Sequence, residues 1–96
     1  MEIMVTITNE GEKTRILLQL ISPPKDKMEE VFALLFTLSG EAGSALFKTG
    51  NERELGRLFR RGIELRPSME SGVEIFAELL KELKNRKGSL PKFSLN

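Results

Sequence analysis

At 96 residues the chain has room for one domain with a modest core, and 40% apolar with 30% charged residues is the balance of an ordinary globular protein. A net charge of +1 announces no nucleic-acid, membrane or acidic partner. The absence of cysteine and histidine excludes disulfides, thiol catalysis and thiolate metal sites, and removes the commonest general base and metal ligand.

No stretch approaches the roughly 20 apolar residues of a membrane span, and residues 1–20 lack the pattern of a signal peptide. A cytoplasmic location is the expectation. Glu, Lys and Arg supply nearly all the charge, with Asp26 the only Asp and Gln19 the only Gln. That bias resembles hyperthermophile proteins in composition. The charge is uneven: residues 1–48 hold five basic and seven acidic residues, residues 49–96 ten and seven.

Residues 2–8 alternate, with Ile3, Val5 and Ile7 on one face and Met4, Thr6 and Thr8 on the other, which predicts a strand. Asn9-Glu10-Gly11-Glu12 reads as the turn, and residues 13–21 as a second strand. A four-residue loop sets Ile7 opposite Glu12, Val5 opposite Thr14 and Ile3 opposite Ile16, and gathers Ile3, Val5, Ile7, Ile16, Leu18 and Leu20 on one apolar face. Leu17 and Ile21 then point to the other side. The expectation is that helices cover both faces; the alternative is that the hairpin pairs with strands of another molecule, with Leu17 and Ile21 as partner contacts.

Ser22-Pro23-Pro24 ends the hairpin. The next stretch predicts the central helix, about 25–38, with Met28, Val31, Phe32, Leu35 and Leu38 as its core-facing stripe and Leu34 and Phe36 reaching a second side. The small-residue run Ser39–Ala45 breaks it, and a short helix over about 41–48 is expected. Thr49-Gly50-Asn51 is a boundary. Asn51 with Glu54, and Thr49 with Glu52, fit capping boxes for a helix over about 52–65 that buries Leu55, Leu58, Phe59 and Ile63. Arg66-Pro67 stops it. Ser71 with Glu74 opens a last helix, about 69–86, with Met69, Val73, Phe76, Leu80 and Leu83 inward and Ile75 and Leu79 widening that face. Gly88 ends it, and residues 89–96 read as a flexible tail from which Leu90 and Phe93 offer partner contacts. The fold class expected is α+β: an antiparallel N-terminal hairpin (2–21) and about four helices in a single small domain over 1–88.

Four arginines, Arg53, Arg57, Arg60 and Arg61, fall within about a 100° arc of the 52–65 helix, opposite its apolar stripe. With a short helix and a turn before them they sketch a helix-turn-helix, and their guanidiniums suit phosphates or an acidic partner. Glu54 and Glu64 dilute the patch, so a solvated face is the stronger reading. Lys48-Thr49 after the small-residue run is no phosphate loop, since Phe47 precedes the lysine. Ser22 and Lys25 formally match S-x-x-K, but the prolines between them oppose the helical turn it needs. Glu70, Glu74, Glu78 and Glu82 form an acidic ridge that reads as a solvated helix face. No catalytic, metal or cofactor residue emerges, and no cofactor is expected. The function that fits is a non-enzymatic protein-interaction or assembly module, homodimeric through the hairpin or the apolar helices; the alternative is a nucleic-acid-binding protein using the arginine face.

Overall fold

The computed structural model describes residues 1–84 and the backbone of 90–94. The alternating N-terminal residues form β1 (Glu2–Glu10) and β2 (Lys13–Ser22), an antiparallel hairpin. Its turn is tighter than the sequence suggested. Glu10 pairs with Lys13, so only Gly11 and Glu12 lie outside the ladder. Gly11 has φ +64, and no other residue type among the described residues has positive φ. A glycine first and an ordinary residue second is the composition of a type II′ hairpin, whose twist matches that of the strands. Ile7 therefore faces Ile16, Val5 faces Leu18 and Ile3 faces Leu20, four residues away from the expected register. A shift of even number leaves every side chain on its face. The apolar face survives, with all six of its residues buried.

β3 (Leu46–Thr49) lies parallel to β2, and β4 (Leu90–Ser94) antiparallel to β1, giving the strand order β3-β2-β1-β4. Both outer strands correct the sequence reading. The expected helix over 41–48 is a turn and a strand, because Gly43 takes φ +86 and Leu46-Phe47-Lys48-Thr49 alternates exposed and covered positions. The expected tail over 89–96 contains β4, whose Pro91 is compatible with an edge strand. Arg86, Gly88 and Leu95 lie outside the described residues.

Helix α1 (Lys27–Glu41) crosses between the parallel strands β2 and β3 and covers the apolar face of the sheet. Its start is defined by Asp26, whose carboxylate accepts from the Glu29 backbone N–H at 2.9 Å. Residues 33–39 are all buried, whereas Met28 is 71% exposed and Val31 is exposed too, so the expected stripe is inward only in its later part. The stacked Phe36 and Phe47 rings, with centroids 6.4 Å apart, tie α1 to β3.

One helix, α2 (Glu52–Lys84), replaces the two expected over 52–86, so the chain has two helices among its described residues rather than about four. Pro67 lies inside it. A straight helix of this length would reach about 50 Å, yet the longest extent of the Cα trace is 36 Å. The order of contacts shows where it bends. Before Pro67 they run forward along α1, from Arg57 at Glu30 to Arg66 at Glu41. After it they run backward, with Gly72 against Leu35 and Phe76 against Phe32. Proline removes one helical donor and crowds the preceding turn, which places the bend there. The Ser68 hydroxyl donates to the Leu65 carbonyl at 2.8 Å beside it. Leu58, Val73 and Leu80 are buried; Ile63, Ile75 and Leu79, expected inward, are exposed.

Candidate functional site

Both helices stand on the same side of the sheet. The other side carries Met4, Thr6 and Thr8 from β1, Arg15, Leu17, Gln19 and Ile21 from β2, and Leu46 and Lys48 from β3. The register arranges these in rows: Leu46, Leu17 and Thr6 in one, and Lys48, Gln19 and Met4 in the next. Ile21 is 52% and Leu46 48% exposed, and Met4 and Leu17 are half-buried. Four apolar side chains thus share a face that no helix covers among the described residues. The expectation that helices cover both faces fails because the bend at Pro67 brings both halves of α2 back onto α1.

The alternative expectation, strand pairing by the hairpin with another molecule, is also corrected. Each hairpin strand already has a neighbour on its outer side, β4 beside β1 and β3 beside β2. The new edges are poor templates. β3 has four residues and an outward Lys48, and β4 has five with Pro91. A partner for this sheet has its face to meet rather than its edge.

Of the residues singled out in the sequence, Leu17 and Ile21 lie on the open face. Leu90 and Phe93 have Val5 and Ile3 as backbone partners, with an irregularity between the two pairs, and their side chains lie outside the described residues. Leu46 and Met4 complete the apolar patch. Leu46 was hidden by reading 41–48 as a helix, though its alternation with Phe47 after Gly43 carries the signal.

At one end of the open face, a cleft is lined by Leu20, Ile21, Pro23, Thr49, Asn51 and Glu54 and has a volume of about 430 Å³. It lies outside the carboxyl ends of the parallel strands β2 and β3, where α2 begins. Asn51 caps α2 as the sequence indicated, accepting from the backbone N–H groups of Arg53 at 2.9 Å and Glu54 at 3.3 Å.

The arginine cluster is divided. The Arg57 guanidinium lies 2.6 Å from Glu54 and 3.2 Å from Glu30, and Arg61 is 3.8 Å from Glu30. The hydrogen bond from Arg57 holds the Glu54 carboxyl below its usual range, against the opposing effect of burial. Glu54 in turn is the main cause raising Arg57, again against burial. Arg53 and Arg60 are exposed and hold no carboxylate among the described residues. The element before the Thr49-Gly50-Asn51 turn is β3, so the helix-turn-helix outline is not present.

A third feature was missed in the sequence. The α-ammonium of Met1 lies 2.6 Å from Glu29 Oε1 and both groups are buried. The same oxygen accepts from the Lys25 backbone N–H at 3.1 Å. Asp26 and Glu29 have capping-box spacing, which is the signal that was available. The Met1 ammonium is the main cause that lowers the Glu29 pKa, with burial acting the other way. Among the described residues no cluster of acids is arranged to hold a metal ion, and no helix is long and apolar enough to cross a membrane. No family model matches the chain, and neither the curated proteins nor the solved structures compared with it show a significant similarity.

Proposed function

We propose that this chain is a non-enzymatic protein-interaction module and that the open face of its sheet is the surface that meets a partner. The observation that carries this is the grouping of Met4, Leu17, Ile21 and Leu46 on the uncovered face. Apolar area gains about 25 cal/mol for each Å² removed from water. Apolar side chains grouped on an uncovered sheet face therefore favour a cover, and these are accompanied by Arg15, Gln19 and Lys48, in the mixed manner of an interaction surface.

The test uses an environment-sensitive apolar dye with dilute protein. The dye gains fluorescence on the native chain and loses that gain when Leu17→Thr and Leu46→Thr are combined, with the helical circular-dichroism signal unchanged. No enhancement, or one that survives both substitutions, contradicts the reading.

Nucleic-acid binding is the second reading, and Arg53 and Arg60 are the observation that favours it, since neither is held by an acid among the described residues. It is the weaker one. Glu30 and Glu54 engage the other two arginines, and a phosphate would have to displace them.

A further inference from the structure

We infer that α2 has two states, bent within one chain or straight between two, and that Pro67 holds it in the first. In the straight state the second half of α2, with β4, packs on the α1 of a second copy. Neither state uses the open sheet face as its contact.

Opening this helix asks little of its apex. Arg66, Pro67 and Ser68 are all exposed. The chain is helical on both sides of Pro67, so straightening needs no loop to unwind and leaves the residues with helical dihedrals. The Arg66 pair with Glu41, at 3.3 Å, joins two exposed side chains and contributes little.

The two halves of α2 hold different parts of the molecule. In the first half, Leu55, Leu58 and Leu65 belong to the cluster shared with the sheet, and Gly62 lies against Leu38. These contacts remain when the second half leaves. The second half rests on α1, with Gly72 against Leu35 and with Phe76 against Phe32 and Phe36 at ring centroids of 5.9 and 4.9 Å. Val73 shares a cluster with Leu35 and Leu38. Detached, this half carries Met69, Val73, Phe76 and Leu80 as an apolar face shaped for α1. A second copy offers an identical α1, and an identical β1 edge for β4. Each contact broken within a chain is remade between chains, which makes exchange of an element a low-cost route to a dimer.

Pro67 decides between the two states. A proline inside a helix lacks one donor and crowds the preceding turn, which penalises the straight helix and suits the bent one. Alanine at this position restores the donor and removes the crowding, and both gains fall on the straight form.

The test compares the native chain with Pro67→Ala by sedimentation, after each is warmed through its transition and cooled at concentrations up to about 1 mM. The native chain is expected at 10.8 kDa in dilute solution. Pro67→Ala is expected to reach twice that mass at a concentration about tenfold or more below that of the native chain, since alanine favours a helix interior far more than proline does. Pro67→Gly restores the donor with little preference for a straight helix and should fall between them. The chain has no cysteine, so Leu35→Cys and Gly72→Cys can be placed on separate copies of Pro67→Ala and refolded together in air. Exchange gives a disulfide-linked pair from the mixture and none from either variant alone. A Pro67→Ala chain that stays single at every concentration overturns the inference. So does a dimer of normal helical content that forms no such disulfide, because its contact then lies on an outer surface. Equal dimerisation of Pro67→Gly and Pro67→Ala also overturns it, since helix straightness would not be the cause.

Discussion

The Met1 α-ammonium and the Glu29 carboxylate meet at 2.6 Å, with side-chain exposures of 0% and 8%. The pair joins the start of β1 to the first turn of α1, and Glu29 also accepts the Lys25 backbone N–H. Removing one partner of a buried pair leaves the other charge uncompensated. Glu29→Gln is therefore expected to lower the melting temperature by several degrees at neutral pH. The Glu29 pKa is lowered in the folded chain, so its stabilisation is present above the ordinary carboxylate range and is lost as pH falls through the lowered value. Urea midpoints measured from neutral pH into acid should converge for the native chain and Glu29→Gln. A constant difference would contradict the assignment.

Glycines in α2 divide by what a methyl group would touch. At Gly56 nothing lies within 4 Å, whereas at Gly62 an added Cβ would sit 3.0 Å from Leu38 Cδ2, a side chain with no exposure. Gly56→Ala gains helix propensity and should stabilise by about 1 kcal/mol. Gly62→Ala has the same gain but must move a fully packed leucine, at about 1–3 kcal/mol, so it should be neutral to destabilising. Chemical denaturation of the two variants checks the order, and equal effects would contradict the close approach of α1 and α2.

Ser39 is fully buried and its hydroxyl has no hydrogen-bond partner among the described residues. An unsatisfied buried polar group costs about 1–3 kcal/mol, so Ser39→Ala should leave stability unchanged or raise it by about 1 kcal/mol. A loss of more than that amount in the same denaturation measurement would mean that the hydroxyl has a partner.

Much of this fold is legible in the sequence, because alternation and turn residues act locally. Ile3, Val5 and Ile7 against Ile16, Leu18 and Leu20 define the covered face, and that face persists through a register four residues away from the one argued, since parity alone determines it. The number of turn residues was not legible: Gly11 fits both a long and a short loop. Leu46–Thr49 is too short for periodicity to separate strand from helix. Arg66-Pro67 has the local signature of a helix stop, yet Pro67 acts as a bend within one helix. The bend places both halves of α2 on α1 and leaves Leu17 and Ile21 uncovered. That outcome depends on tertiary contacts and no local pattern encodes it.

The arginines give a prediction in line with the solvated face that the sequence favours. Arg57 bonds Glu54 and Glu30 across an exposed surface, where such pairs contribute about 0–1 kcal/mol. Labelled duplex DNA and RNA should show no salt-sensitive anisotropy change between about 50 and 200 mM salt. Binding that weakens sharply over that range, and disappears when Arg53→Glu and Arg60→Glu are combined, would restore the nucleic-acid reading.

The account turns on one face of the sheet being open, and thiol labelling in a chain without cysteine measures this directly. Single cysteines replace Leu17 and Leu46 on the open face, and Leu18 and Phe47, their neighbours on the covered face. In dilute protein, Leu17→Cys and Leu46→Cys are expected to react within about tenfold of an unfolded-chain thiol, while Leu18→Cys and Phe47→Cys react orders of magnitude more slowly, only through opening of the fold. Equal protection of Leu17→Cys and Leu18→Cys in the dilute chain would mean that the face is already covered, and would contradict its role as an interaction surface.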